Sequence, residues 1–323
     1  MSANLEVVRV CPDDALVFGL HLPIAAQSRA FAQGWEKACG PAEIRRIAEA
    51  ADQAGLFYLG ISDHVAIPRA LAPVMSTVWY DLVATLGYLA AATRRIKLLS
   101  YVAVLPYRHP LQSAKSFATL DALSDGRLIV GVGAGHAQDE FAGLGVSFGD
   151  RGALLDESID ALRVALLDEW PEHDGRFFSF RELGVAPRPA QKPRPPIWVG
   201  GSTRAALRRA AERGDGWLPQ GAPEMGMAAA IETIRGHREK MRAGAPIEIG
   251  MNAPWMYLGR PSFEVPEGTI TGSAEQLAEP LRAAAALGVN HMGVRFRCRS
   301  VDELIDQIHG FCREVAPLAA RMA

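Results

Sequence analysis

The sequence has 323 residues, of which 49% are hydrophobic and 22% are charged, a composition typical of a globular protein with a large buried core. The 34 lysines and arginines nearly balance the 36 acidic residues, so the formal net charge is only −2. A chain so close to neutrality has no electrostatic reason to bind nucleic acid or an anionic membrane, and we expect a small-molecule ligand.

The cysteines and the N-terminal region carry no signal for export. No Cys-x-x-Cys motif and no Cys/His cluster of metal-ligand spacing occurs, so we expect free thiols and no bound metal. The N-terminal residues include acids and lack the apolar stretch of a signal peptide, and no run of about 18 apolar residues follows. We therefore predict a cytoplasmic protein. The cysteines are Cys11, Cys39, Cys298 and Cys312.

Short apolar runs alternate with segments of helical periodicity along the chain. The first apolar run, 16–22, is followed by a predicted helix at 41–54, which has Pro41 at its first position and Gly55 at its end. The later predicted strands are 56–62, 96–105, 128–132, 197–199, 216–219, 247–258 and 290–296. The later predicted helices are 80–93, 110–124, 151–169, 204–213 and 224–243, and two more begin with capping boxes at Ser273 and Ser300.

A proline-rich and basic segment, 185–196, interrupts this alternation. Its prolines remove backbone donors and exclude a regular helix or strand. We expect it to be irregular and to run over the surface of the protein.

Strands that alternate with helices in this way pair in parallel, because each crossover needs a connection of helical length. The sequence therefore predicts a (β/α)8 TIM barrel, formed by residues 1–323 as a single domain with loop insertions at its C-terminal mouth. The alternative is an open doubly wound sheet, whose nucleotide-binding form has a G-x-G-x-x-G motif after its first strand. Here the glycines follow the fourth strand, and the third, Gly135, comes one position too early.

Ligands of such barrels bind at the C-terminal ends of the strands, so the residues that follow each strand are the candidate site. These positions are unusually polar or small. They are His21, Asp63, His64, Ser100, Tyr101, residues 133–139, residues 200–203, Arg295 and Arg297.

Two glycine loops stand out among these positions. Gly131, Gly133 and Gly135 allow the backbone to approach a flat or anionic ligand closely. The loop at 200–203 precedes a predicted helix, whose free amides and dipole favour a phosphate. Either loop could also be a structural turn, and His64 or His136 could each be a hydrogen-bonded structural histidine.

Four segments resemble the luciferase-like monooxygenases, in particular the branch that uses the deazaflavin coenzyme F420. They are GISDH at 60–64, VLPYRHP at 104–110, LDALSDGRLIVGVGAG at 120–135 and PPIWVGGS at 195–202. The resemblance implies that Asp63 and His64 lie beside the isoalloxazine ring and that Tyr101-Val102 forms a bulge with a non-prolyl cis peptide behind it. It also implies glycine loops near the phosphate and side chain of the cofactor, and a homodimer.

On this resemblance, the predicted catalytic residues are His64, His136 and Asp63. His136 stands where related dehydrogenases carry a glutamate and Asp139 where they carry an asparagine, which argues against sugar-phosphate oxidation. A histidine can still act as a general acid or base, because its ordinary pKa lies near about 6.5. The predicted cofactor-binding residues are Asp63, His64, Ser100, Tyr101, Val102, Gly133, Ala134, Gly135, His136, Asp139, Gly200, Gly201 and Ser202.

The activity expected from these features is hydride transfer between coenzyme F420 and a small organic substrate. An FMN-dependent monooxygenase that uses reduced flavin and oxygen is the alternative, and a flavin-binding protein without catalytic activity is another. A metal-dependent hydrolase would need a His-x-His motif after the first strand, which is absent. We expect a substrate of hydrophobic or mixed polarity, because aromatic and apolar residues occur in loops that could cover the mouth: Met75, Trp79, Tyr80 and Phe263.

Overall fold

The computed structural model describes residues 6–13 and 15–320. Its centre is a barrel of parallel strands, formed by the apolar runs of the sequence. These strands are β1 (Val17–His21), β2 (Tyr58–Ile61), β3 (Lys97–Ser100), β4 (Leu128–Gly133), β5 (Ile197–Gly200), β6 (Gly216–Leu218), β7 (Glu248–Leu258) and β8 (His291–Phe296). Ala103–Val104 continues β3 alongside β4.

The barrel is closed, because β1 pairs in parallel with both β2 and β8. Gly19 lies opposite Tyr58 on one side and opposite Gly293 on the other. A Cβ atom at Gly19 would lie 2.2 Å from the Tyr58 ring, so this aromatic side chain occupies the space that a larger residue would need. The predicted (β/α)8 architecture is confirmed.

Helices surround the barrel in the predicted alternation. They are α1 (Pro41–Ala54), α2 (Leu82–Ala92), α3 (Pro110–Leu123), α4 (Arg151–Leu167), α5 (Arg204–Arg213), α6 (Met227–Met241), α7 (Ala274–Ala286) and α8 (Val301–Gly310). Ser273 and Ser300 accept hydrogen bonds from the amides of Gln276 and Glu303, as N-caps do. Helix α1 buries Ile44, Ile47, Ala48 and Ala51, whose spacing of three and four residues gives the helix one apolar face.

Shorter elements fill the connections, and the sequence pattern did not predict them. Two strands, His173–Asp174 and Ser179–Phe180, form an antiparallel hairpin, and Ile270–Gly272 pairs with β7. The short helical segments are Gly34–Ala38, Ala72–Met75, Leu105–Tyr107, Gln138–Gly143, Phe311–Val315 and Ala316–Ala319.

The predicted third strand, 96–105, is interrupted in the structure. The peptide bond between Tyr101 and Val102 is cis, and these two residues separate β3 from Ala103–Val104. The bulge with a non-prolyl cis bond is therefore present where the family resemblance implied it.

The proline-rich segment 185–196 is irregular as predicted, but the expectation that it lies on the surface is wrong for its C-terminal end. Arg194 is buried and forms two hydrogen bonds to Asp215, at 2.6 and 3.1 Å. Asp215 also accepts the amides of Val8 and Ile197. Asp215 therefore connects the N-terminal residue Val8 to Arg194 and to the start of β5. Because the Arg194 side chain must reach this buried carboxylate, the C-terminal end of the proline-rich segment is buried.

The four cysteines are free thiols, as predicted. Across the residues described, no helix is both long and apolar enough to cross a membrane.

Candidate active site

A cavity of about 1240 Å³ opens at the C-terminal ends of the barrel strands. This volume accommodates a tricyclic cofactor together with a small substrate. Most of the predicted site residues line it, although they come from four different strand ends. They are Asp63, His64, Tyr101, Val102, Gly133, Ala134, Gly135, His136, Gly200, Gly201 and Ser202.

Two of the predicted cofactor-binding residues do not line the cavity. Ser100 is completely buried, and its hydroxyl donates a hydrogen bond to the carbonyl oxygen of Gly131 at 2.8 Å. Asp139 is exposed on the short helix Gln138–Gly143. Ser100 therefore joins two strands of the barrel instead of facing a ligand.

Val102 forms a ledge in the cavity wall, and two of the predicted glycines are needed to accommodate it. A Cβ atom at Gly133 would lie 2.5 Å from Val102 Cγ2, and one at Gly200 would lie 2.8 Å from Val102 Cγ1. The neighbouring Tyr101 hydroxyl donates a hydrogen bond to Asn252 Oδ1 at 2.9 Å. Glycine at these two positions lets the apolar side chain of Val102 pack between the ends of β4 and β5 and line the cavity.

The loop before α5 forms the second part of the site. Gly201 has a φ of 115°, and the Ser202 hydroxyl donates hydrogen bonds to the carbonyl oxygens of Gln220 and Gly221. Thr203 caps α5 by accepting the amide of Ala206. The amides that precede Ala206 in this first turn remain available to bind an anion, so this loop suits a phosphate. Four arginines also line this cavity: Arg151, Arg204, Arg209 and Arg295.

Asp63 forms a nearly buried ion pair with Arg108. Its two oxygens lie 2.6 and 2.9 Å from the guanidinium nitrogens of Arg108, and one of them also accepts the Val104 amide at 2.9 Å. Both oxygens are therefore occupied by donors. These contacts indicate that Asp63 positions the segment after the Tyr101-Val102 bulge, whereas the sequence had suggested proton transfer.

His64 is held by a carboxylate that the sequence analysis did not identify. Its Nδ1 atom lies 2.8 Å from Oε2 of Glu140, and the Tyr107 hydroxyl donates to the same oxygen at 2.9 Å. The other oxygen of Glu140 accepts the amides of Val65 and Ala66. Glu140 was missed because its short helix, Gln138–Gly143, shows no clear pattern. The burial of Glu140 and Phe141 is visible only in the structure.

Glu140 is ionised over the whole physiological range. Burial raises the pKa of its carboxyl, but hydrogen bonds from His64 and from two backbone amides outweigh this effect and bring the pKa to about 2. An ionised carboxylate can only accept hydrogen bonds, so Nδ1 of His64 carries the proton. Nε2 is then the ring atom that can accept a proton, and no described residue bonds to it.

Two further rings surround His64. The ring of Trp79 lies edge-on, with 4.5 Å between the ring centroids, and the ring of His136 lies at 5.5 Å and perpendicular. Burial, and then the proximity of His64, lower the pKa of His136 below its usual value. The two predicted catalytic histidines are therefore neighbours although they are distant in the chain, because the strands that precede them, β2 and β4, end at the same cavity.

The loops expected to cover the mouth do so in part. Met75 and Trp79 line the cavity. Tyr80 and Phe263 are not among its lining residues, and Phe263 instead packs against Tyr257. Within the described part of the chain, no group of three or more His, Cys, Asp or Glu side chains is arranged to hold a metal ion.

Known proteins resemble this chain in sequence and in fold. An uncharacterized protein from Mycobacterium tuberculosis is 32% identical over 218 residues, which cover 63% of this chain and 74% of the relative. The FMNH2-dependent dimethylsulfone monooxygenase of Pseudomonas putida is 28% identical over 258 residues, 77% of this chain and 65% of that enzyme.

A similar fold occurs in the coenzyme F420-dependent tetrahydromethanopterin reductase from Methanopyrus kandleri. The TM-score is 0.72 with 19% identity, over 94% of this chain and 99% of the reductase. The family model for luciferase-like monooxygenases matches residues 18–261, well over half of the chain. The chain therefore belongs to the luciferase-like monooxygenase family, which is a family of enzymes.

Proposed function

We propose that this protein is an oxidoreductase that transfers a hydride between coenzyme F420 and a small organic substrate. The observation that carries the proposal is the hydrogen-bonded group of His64, Glu140 and Tyr107, in which His64 lines the same cavity as the Val102 ledge. Hydride transfer to a carbonyl carbon leaves an oxygen that must gain a proton. Nε2 of His64 can supply it after taking a proton from solvent, because the Glu140 carboxylate stabilises the imidazolium, and in the reverse direction the neutral ring accepts the proton of the alcohol.

The residues of the cavity fit such a cofactor. The apolar ledge formed by Val102 would support its ring, since Gly133 and Gly200 leave the valine room to pack below it. The free amides at the start of α5, next to Thr203, would bind its phosphate. When bound, the reduced cofactor supplies the hydride, and the protein supplies binding, orientation and proton transfer.

Each protein group then has a distinct task. Glu140 fixes the ring of His64 and keeps the proton on Nδ1, which leaves Nε2 to exchange a proton with the substrate. Asp63 and Arg108 hold the backbone after the bulge in place. Trp79 packs against His64 and limits the access of water to it.

A reduced-FMN monooxygenase is the second candidate. The 28% identity to the FMNH2-dependent dimethylsulfone monooxygenase favours it. Both cofactors carry a tricyclic ring and a phosphate, so the ledge and the α5 loop suit either of them.

Anaerobic titration of the purified protein with coenzyme F420 and with FMN tests the proposal. We expect F420 to bind more tightly than FMN, and the loaded enzyme to turn over without oxygen. His64→Ala should retain measurable cofactor binding, because the ledge and the α5 loop remain, while turnover falls. Binding of FMN with a Kd below about 1 μM, without detectable binding of F420, would contradict the proposal and favour the monooxygenase.

A further inference from the structure

Arg295 lies on the part of the cavity wall formed by the last barrel strand. It is the penultimate residue of β8, and the cavity extends to it. Its guanidinium carbon lies 4.9 Å from the ring centroid of Phe31 and 5.9 Å from that of Trp255. Both aromatic residues also line the cavity. A cation is thus placed between two apolar surfaces at the mouth of the site.

No residue in the described chain forms an ion pair with Arg295 or with the nearby Arg297. The Nε atom of Arg297 is buried and has no hydrogen-bond partner there, and its guanidinium lies 3.7 Å from the Trp255 ring centroid. Arg299, two positions further on, does have a carboxylate partner in Glu303. Arg295 and Arg297 therefore differ from Arg299 in having no carboxylate partner among the described residues.

The other charged groups of this wall do not compensate Arg295. Glu36 lines the cavity, but its oxygens accept the amides of Ile24 and Gln33. His21 is uncharged near neutral pH, because burial, and then the charge of Arg295, lower its pKa to about 4. Burial also lowers the pKa of the Arg295 guanidinium itself.

A partly buried cation without a counter-ion is costly, and an anion that binds beside it removes part of that cost. Three other arginines line the same cavity. Arg204 is exposed at the start of α5, beside the loop proposed to bind the cofactor phosphate, whereas Arg151 and Arg209 already have partners. Arg151 donates to the Phe148 carbonyl oxygen, and Arg209 pairs with Asp156. Arg295 is therefore the group of this wall that is best placed to bind an anionic ligand.

We infer that Arg295, supported by Arg297, binds a carboxylate of the substrate, and that the substrate is an organic acid whose apolar body packs against Phe31 and Trp255. This inference rests on the proposed function, because it assigns the substrate of the same cavity. A guanidinium binds a carboxylate through two parallel hydrogen bonds, and the two aromatic rings provide an apolar contact surface.

The test compares an acid with its uncharged analogue. Isothermal titration of 3-phenylpropionate and of 3-phenylpropanamide is carried out on the protein with and without the cofactor that it binds. We expect the acid to bind about 10-fold more tightly than the amide, or better, since a hydrogen bond to a charged group contributes this much. Equal binding of the two compounds, or no binding of the acid, would overturn the inference.

Variants of Arg295 test whether this residue causes the preference for the acid over the amide. Arg295→Gln should remove the preference for the acid, and Arg295→Lys should retain part of it. Arg299→Gln is the matched control, because Arg299 also packs on an aromatic ring, that of Phe263, but is paired with Glu303. It should leave the preference unchanged.

The rival role for Arg295 is direct contact with the cofactor. If Arg295→Gln weakens cofactor binding as much as acid binding, the inference is overturned. If neither F420 nor FMN binds the protein, the proposed function fails, and the comparison of acid and amide without cofactor still decides whether Arg295 selects an acid. Should Arg295→Gln fail to fold, the comparison on the unmodified protein and on Arg295→Lys decides.

Discussion

The Nδ1 atom of His64 lies 2.8 Å from Oε2 of Glu140, although 76 positions separate the two residues in the chain. One follows β2 and the other lies on the short helix after β4. Because Glu140 is ionised, the contact determines which nitrogen of the imidazole carries the proton. The reactivity of His64 therefore depends on a residue from another part of the barrel.

The tautomer of His64 can be measured directly. We expect long-range ¹H–¹⁵N spectra to show His64 with its proton on Nδ1 in the unmodified protein. Glu140→Gln replaces the anionic acceptor with an amide that can also donate, so the fraction of this tautomer should fall. A spectrum unchanged by Glu140→Gln would contradict the assigned role of Glu140.

His64→Ala should affect turnover more than stability. We expect turnover to fall about 100-fold, the range for loss of a general acid or base. The Tm should change by only about 2–4 °C, because Glu140 keeps three other donors: the amides of Val65 and Ala66 and the Tyr107 hydroxyl. Steady-state kinetics and thermal melting check both values. Loss of stability in proportion to activity would instead favour a structural role for His64.

Arg108→Met should destabilise the fold. It would leave the Asp63 carboxylate, only 2% exposed, without its counter-ion. We expect a loss of about 3 kcal/mol in the free energy of unfolding, the lower end for a broken buried pair, since Arg108 is itself 26% exposed. Arg46→Met is the control. Its pair with Asp302 is exposed, so chemical denaturation should show a loss of at most about 1 kcal/mol.

Gly133→Ala tests the Val102 ledge. The added methyl group would lie 2.5 Å from Val102 Cγ2, so the valine has to move. We expect cofactor binding to weaken about 10-fold or more and the Tm to fall, as overpacking costs about 1–3 kcal/mol. Gly87→Ala in α2 meets no atom within 4 Å and should stabilise the protein by about 0.5–1 kcal/mol. Unchanged cofactor affinity in Gly133→Ala would show that the ledge does not support the ring.

The stability of the protein should depend on pH through His291. This residue is completely buried against Trp198, with 4.1 Å between the ring centroids, and burial lowers its pKa to about 3. The unfolded chain binds a proton at His291 below about pH 6.5, whereas the folded protein does not bind it until about pH 3.

The free energy of unfolding therefore decreases as the pH falls from about 6.5 towards 3. The contribution of His291 to this decrease is about 1.4 kcal/mol per pH unit. Denaturant titrations at several pH values measure the slope. His291→Phe should reduce the slope by this amount, whatever its effect on the stability at neutral pH. An identical slope in the variant would show that His291 titrates normally in the folded state.

The sequence by itself determined the order of strands and helices, and with it the closed barrel, because apolar periodicity and helix caps are local properties. It also identified most of the predicted residues that line the cavity, since residues after parallel strands meet at one end of a barrel. Gly133 and Gly200 could be identified as cavity residues in this way, although the reason for glycine there, the packing of Val102, was not visible.

Only the tertiary structure decided the partners of the charged groups. Asp63 and His64 are adjacent in sequence, yet one pairs with Arg108 and the other with Glu140. Arg194 lies in a segment whose prolines and charges predict a surface loop, but its side chain is buried against Asp215. The unpaired state of Arg295 likewise depends on every element that packs around it. Hydrogen bonds and burial join residues that are distant in the chain, and no local pattern specifies which charge is paired, desolvated or left free for a ligand.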